Sequence, residues 1–176
     1  MQEKIVFIGG PGTGKSSVLR YLKRQGFKCM PEISREVTKK AQEEGIEQLF
    51  LTDPILFSYK LLEGREQQYI DADKCNDRII FFDRGIPSIH AYMRYFNTEF
   101  PDIFLEKSKQ YRYTKVFQFL PWKQIYKSDN ERYETFEQSE TISKFLNEAY
   151  TELGYEIINV PFDTIKSRCS FILSHM

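Results

Sequence analysis

Residues 4 to 17 confine this chain to a narrow set of folds. Lys4-Ile5-Val6-Phe7-Ile8 is an apolar, β-branched run, and Gly9-Gly10-Pro11-Gly12-Thr13-Gly14-Lys15-Ser16 follows at once. This is the G-x-x-x-x-G-K-[ST] pattern of a phosphate-binding loop, in its required context between a strand and a helix. Glycines let backbone N–H groups converge on an anion without interference from Cβ atoms. The helix opening near Lys15 adds the positive end of its dipole. The stretch Gly9, Gly10, Pro11, Gly12, Thr13, Gly14, Lys15, Ser16 and Ser17 is therefore the expected ATP cradle. Lys15 is expected on the β- and γ-phosphates, and the Ser16 hydroxyl on Mg²⁺.

The rest of the chain repeats the strand-then-helix order of an α/β protein. Short apolar strands are expected at residues 4–8, 27–30, 79–82, 115–120 and 155–160. The third, Ile79-Ile80-Phe81-Phe82, is too apolar to be half exposed and reads as a buried parallel strand. Helix one is expected from Lys15 to about Gln25, with Val18, Leu19 and Leu22 inward and Gly26 as its stop. Ile33, Val37 and Ala41 recur at helical spacing. Asp53-Pro54 opens a helix of about five turns, with Ile55, Tyr59, Leu62, Tyr69 and Ile70 as its apolar positions. A further helix carries Ile142, Phe145, Leu146, Ala149 and Leu153 and stops at Gly154. The last starts near Asp163 and carries Ile165, Cys169 and Ile172. Parallel strands need right-handed helical crossovers, so the expected fold is a three-layer α/β sandwich. Its ligand belongs at the carboxyl ends of the strands.

Composition narrows the partners. The chain has 176 residues, 25 Lys+Arg against 25 Asp+Glu, 41% hydrophobic and 28% charged. That suits one globular domain over residues 1–176 with a core of its own. Zero net charge argues against a nucleic-acid partner. No apolar run reaches the ~18 residues of a membrane span. With a strand at residue 4, no signal peptide is expected, and the reading is a cytoplasmic protein. Cys29, Cys75 and Cys169 lack metal-ligand spacing and read as core thiols of a reducing compartment.

Three further blocks carry chemistry. Phe82-Asp83-Arg84-Gly85 ends strand three with an acid, the form of a Mg²⁺-holding Asp beside a phosphate loop. A helix cap is the bland alternative for Asp83. Arg84 has the bidentate fork that suits phosphate or substrate, and it could instead pair with a nearby acid. Met30-Pro31-Glu32 ends strand two and puts Glu32 at the same edge of the sheet. There it is the expected base for an acceptor hydroxyl, oriented by Arg35 on the helix that follows. Glu36 and Lys39 read as a solvated face. Residues 122–138, polar and short of aliphatics, form a lid-like segment. In it Lys123, Lys127 and above all Arg132 are placed to close on phosphates, Arg132 as a catalytic finger. Phe162, after strand five, is either a stacking partner for the nucleotide base or a core residue. His90 lies on an apolar helix face and reads as packed.

With Gly9 to Ser16, Pro31-Glu32-Ile33-Ser34-Arg35-Glu36 and Phe82-Asp83-Arg84-Gly85 in place, the chain resembles the P-loop AAA-type domain of NadR and its relatives. More broadly it is similar to nucleoside and nucleotide kinases. The resemblance implies the P-loop NTPase fold of nucleoside/nucleotide-kinase type, with a five-stranded parallel sheet in the order 2-3-1-4-5. It implies Glu32 as base and Arg84 as a phosphate or substrate contact. Arg35, on the same helix face as Glu32, is expected on the substrate from its spacing. The expected activity is transfer of the γ-phosphoryl of ATP, with Mg²⁺, to a hydroxyl of a small nucleoside-like acceptor. The alternative is a regulatory ATPase or switch with no acceptor. A Ras-like GTPase is excluded. Phe119-Leu120-Pro121-Trp122 stands where a guanine motif would, and Asp83 is followed by Arg84-Gly85-Ile86 rather than D-x-x-G.

Overall fold

The computed structural model describes residues 1–126 and 134–176. In chain order its elements are β1 (Glu3–Ile8), α1 (Lys15–Arg24), β2 (Lys28–Met30), α2 (Ser34–Glu43), α3 (Leu49–Thr52), α4 (Pro54–Asp73), β3 (Ile79–Asp83), α5 (Pro87–Tyr95), α6 (Ile103–Gln110), β4 (Lys115–Gln118), α7 (Phe136–Glu152), β5 (Ile157–Asn159) and α8 (Ile165–Leu173). The strands form one parallel sheet in the order β2-β3-β1-β4-β5, as the resemblance implied.

Alternation along β1 builds the layers. Val6 and Ile8 join Ile80, Phe82 and Val116 on one face, under Ala72 of α4, Ala91 of α5 and Leu146 and Tyr150 of α7. Ile5 and Phe7 join Phe81, Phe117 and Phe119 on the other, under Val18, Leu19 and Leu22 of α1 and Cys169 and Ile172 of α8. A sheet covered on both faces needs apolar residues at every position, which explains the continuous runs in β1 and β3. A third cluster joins Leu61 and Leu62 of α4 to Ile89 and Met93 of α5 and Phe104 of α6.

Several expectations are corrected. β5 and β4 are shorter than expected. Tyr155 lies before β5, and its hydroxyl accepts from the Tyr113 N–H at 3.1 Å. Helix α6 was not foreseen at all. On α4, Tyr59 and Ile70 are exposed, while the buried side carries Ser58, Leu61, Leu62, Arg65 and Ala72. Apolar and polar residues are spread around this helix rather than divided between two faces, so hydrophobicity alone does not mark its inner face. Only Cys169 is a core thiol. Cys29 and Cys75 are half-buried, and all three are free. Burial pushes the Cys29 thiol up to about 11, which makes it a poor nucleophile. Among the described residues no helix is long and apolar enough to cross a membrane.

His90 is packed, as expected, 1% exposed on α5. Its Nδ1 lies 3.5 Å from Ser108 Oγ, and its Nε2 has no hydrogen-bond partner. Burial, with Arg94 nearby, depresses its pKa from 6.5 to about 4. Between those values the unfolded chain takes up a proton that the folded chain refuses. The stability this confers is complete above about pH 6.5 and is lost as pH falls toward 4, roughly 3 kcal/mol in all. Urea unfolding between pH 6.5 and 5 should show this slope. His90→Leu should flatten it, and an unchanged slope would remove His90 as the cause.

Candidate active site

The parallel register fixes where the site lies. Phe7 pairs with Asp83, so the end of β3 stands beside the point where β1 turns into the phosphate loop. The Arg84 N–H continues that pairing onto the Phe7 carbonyl at 3.0 Å. Within the loop Gly9, Gly12 and Gly14 have positive φ, 148°, 73° and 88°. Gly14 shows why a side chain is excluded: a Cβ there would lie 2.6 Å from Arg168 Nη1. The Thr13 hydroxyl donates to the Gly10 carbonyl at 3.0 Å. Lys15 is buried and folds over the loop, donating to the Gly9 and Gly10 carbonyls at 2.9 Å each. Ser16 is exposed at the start of α1. Ser17 is half-buried behind it.

Asp83 is 5% exposed at the carboxyl edge of the sheet, and its Oδ1 has no hydrogen-bond partner. Burial raises its pKa, with the Glu32 charge adding to the rise and Lys15 opposing it. A buried, unsatisfied carboxylate oxygen at this edge fits a hard divalent cation that takes its remaining ligands from a hydroxyl, phosphate and water. Among the described residues no group of three or more His, Cys, Asp or Glu could hold a metal by itself.

Glu32 stands between β2 and α2, held from three sides. Its Oε1 accepts from the Ser34 N–H at 3.0 Å and from Arg65 Nη2 at 3.2 Å. Its Oε2 pairs with Arg84 Nη1 at 3.1 Å. Burial pushes this carboxyl up, but Arg84 and Arg65, with Ser34 and Lys15, outweigh it and hold it at about 2. Glu32 is therefore ionised throughout the physiological range. Arg84 has φ 66°, an uncommon conformation for a residue with a side chain, of the kind that collects at functional sites. Its guanidinium lies 5.1 Å from the Tyr92 ring centre. Burial opposes the Arg84 charge, and Tyr92, Glu32 and Asp83 more than restore it.

Arg65 and Gly85 explain how Arg84 is held in that shape. Arg65 is 3% exposed and donates through Nη1 to the Gly85 carbonyl at 2.8 Å. Gly85 fits against Tyr113 and Tyr150, whose hydroxyl lies 3.0 Å from Ser88 Oγ. The sequence reading gave the orientation of Glu32 to Arg35. The structure gives it to Arg65 and Arg84, while Arg35 is exposed on the first turn of α2. Arg65 was missed, although a charged residue four positions after Leu61, at the phase of the buried face, was its signal. Arg168 was missed in the same way, next to Cys169 and four residues before Ile172.

Arg132 and Lys127 of the expected lid lie outside the described residues. Trp122 to Tyr126 form a turn with Lys123 exposed. Residues 136–138 already belong to α7, entered through a capping box between Thr135 and Gln138. Phe162 is 51% exposed and stacks on Trp122, with centroids 5.3 Å apart and planes at 20°, so it is not a core residue.

A family model described as an AAA domain matches residues 4–168. No curated protein matches the chain by sequence. Among solved structures, a thymidylate kinase from Candida albicans is similar with a TM-score of 0.73 and 18% identity, covering 99% of this chain and 90% of that one. A deoxyadenosine kinase from M. mycoides has a TM-score of 0.69 and 18% identity, covering 98% and 97%. A NadR protein in complex with NAD and AMP-PNP has a TM-score of 0.70 and 14% identity. This chain matches 98% of its own length to 48% of that NadR chain. At these identities the likeness is one of fold, a P-loop fold shared with nucleoside and nucleotide kinases.

The packing around Gly85 is testable. A Cβ there would lie 2.6 Å from the Tyr113 ring and 2.8 Å from the Tyr150 hydroxyl. Gly85→Ala should therefore cost about 1–3 kcal/mol, the usual range for overfilling a packed interior. Chemical denaturation measures this, and a variant as stable as the parent would show that the Arg84–Gly85 turn is not held by these tyrosines.

Proposed function

The chain belongs to the AAA-domain family, and from that premise we propose that it is an ATP-dependent kinase acting on a hydroxyl of a small, nucleoside-like acceptor. One observation carries the reading. Glu32, at the edge of the sheet that bears the phosphate loop, is kept ionised and aimed by two arginines. A nucleotide switch without an acceptor has no use for a carboxylate fixed there.

The residues divide the work as follows. The loop from Gly9 to Ser17 wraps the phosphates with its N–H groups and the α1 dipole. Lys15 moves from the Gly9 and Gly10 carbonyls to the β- and γ-phosphates, exchanging neutral acceptors for charged ones. Ser16 and Asp83 would hold Mg²⁺, which neutralises phosphate charge when bound. The acceptor oxygen forms its bond to the γ-phosphorus as the bond to the bridging oxygen of ADP breaks. Glu32 accepts the hydrogen bond of that hydroxyl and takes its proton as the new bond makes the hydroxyl more acidic. A carboxylate held near 2 is a weak base, so its main contribution is to orient the attacking oxygen. Arg84 meets negative charge on the acceptor or on the phosphoryl in flight. Arg35 and Arg132 are assigned to the substrate and to the phosphates on their sequence alone. Stacked Trp122 and Phe162 supply aromatic surface for the base of the nucleotide.

Turnover of ATP-Mg²⁺ over a panel of nucleosides and nucleotides tests this. Lys15→Ala should weaken ATP binding by about 10- to 100-fold, the worth of a hydrogen bond to a charged group. Calorimetry that finds no ATP binding in the wild type ends the reading. Glu32→Gln should lower acceptor phosphorylation by about 10²-fold, the low end of the range for a lost general base because a weak base acts mainly by orientation, with ATP affinity nearly unchanged. Acceptor-dependent turnover that survives Glu32→Gln removes Glu32 from the mechanism. A slow ATPase that no acceptor stimulates would make the chain a regulatory ATPase instead.

A further inference from the structure

Two side chains from outside the phosphate loop grip its backbone. Ser139 Oγ of α7 donates to the Pro11 carbonyl at 3.3 Å. Arg168 Nη2 of α8 donates to the Thr13 carbonyl at 3.1 Å. The carbonyl and N–H of one trans peptide point in opposite directions. Holding the Thr13 carbonyl on Arg168 therefore turns the Gly14 N–H away from α8. Holding the Pro11 carbonyl on Ser139 does the same for the Gly12 N–H with respect to α7. Both N–H groups belong to the part of the loop whose sequence is built to meet an anion.

Arg168 is unusual in another respect. It is 2% exposed. Its neighbours are the Thr13 carbonyl and the faces of Phe119, at 4.7 Å, and Trp122, at 5.9 Å. Among the described residues no carboxylate pairs with it, and its Nε has no hydrogen-bond partner. Burial lowers its pKa. A buried cation without a counter-charge is costly, and one kept beside an anion-binding loop is explained when the anion is counted. Its neighbours on α8, Cys169 and Ile172, are core residues, so an apolar side chain would suit this position if packing were its only task.

We propose that Arg168 is a positioning residue for a bound polyphosphate: it sets the Thr13–Gly14 peptide of the loop and supplies a buried positive charge that the phosphates complete. The proposal rests on reading the loop as a nucleotide site. It also ties the two ends of that site together, because the guanidinium lies between the loop and Trp122, which stacks on Phe162.

The test is calorimetry and thermal unfolding of the whole chain, with ATP-Mg²⁺ and with inorganic tripolyphosphate-Mg²⁺. Wild type, Arg168→Lys and Arg168→Met are compared. Methionine keeps an unbranched apolar stem and loses the donors and the charge. In Arg168→Met both affinities should fall by about 10- to 100-fold, and in Arg168→Lys by less. The ligand-free melting temperature of Arg168→Met should hold or rise, and its gain on adding ligand should shrink. A purely structural arginine gives the reverse: a lower ligand-free melting temperature with wild-type affinity for both ligands. That result overturns the proposal. If Arg168→Met does not fold, Arg168→Lys decides, since wild-type affinity for both ligands in that variant also overturns it. A wild type that binds neither ligand removes the nucleotide reading itself, whereas tight wild-type binding with unmoved variants removes only the role of Arg168.

Discussion

The central position of β1 is the constraint on which the rest depends. It pairs with β3 on one side and β4 on the other, and its residues alternate between two cores. A strand in that position is sealed on both faces and both edges, so its direction and register are fixed by packing and by hydrogen bonds together. Its carboxyl end is then an immobile platform. The loop that leaves it starts at a set place, and β3, locked in register, brings Asp83 and Arg84 to the same edge. Chemistry that needs several groups held to a fraction of an ångström is well served by strand ends of this kind.

The charges gathered there would be unstable singly. Glu32, Arg65, Asp83, Arg84 and Lys15 are all largely buried, and removing any one partner leaves another desolvated without compensation. The arrangement holds because it is mutual. Glu32 is shared by two arginines, and Arg65 also satisfies the Gly85 carbonyl. Ion pairs and hydrogen bonds shared in this way narrow the choice of geometry, since an alternative breaks one of them away from water. The left-handed backbone of Arg84 is a small local cost of the same arrangement, offset by the tyrosines around Gly85 and by its ion pair with Glu32.

The phosphate loop is likewise supported from behind. Its glycines permit the shape, but they do not choose it. Thr13 and Lys15 hold it from within, while Ser139 and Arg168 hold it from α7 and α8. Those two helices follow β4 and β5 in the chain, more than a hundred residues from the loop they support. Closure of the sheet is therefore a condition for a shaped loop. A fragment carrying the glycine pattern alone would keep the flexibility without the preference.

Legibility in the sequence followed range. The phosphate loop, the apolar strands, Asp83 at the end of β3, Glu32 at the end of β2 and the packed His90 were all readable, because each depends on neighbours a few residues away: a periodicity, a turn, a cap. The layered α/β architecture followed from those local patterns, and the order of the strands came with the family resemblance. The partners of Glu32 were not readable. Arg35 was nearest in sequence, yet Arg65, thirty-three residues further on, reaches Glu32 because α4 packs across the edge of the sheet. Arg168 was hidden for the same reason, as its contact with Thr13 exists only once β5 has joined β4. The inner face of α4 was misread because its apolar and polar residues are mixed around the helix, which leaves its orientation to be set by what packs on it. The sequence by itself determined the five strands, the longer helices that flank them and the glycine pattern of the loop between β1 and α1. Only the tertiary structure decided which charges are buried together and which hold the others in place, because burial and ion pairing across the sheet depend on distances that no local pattern encodes.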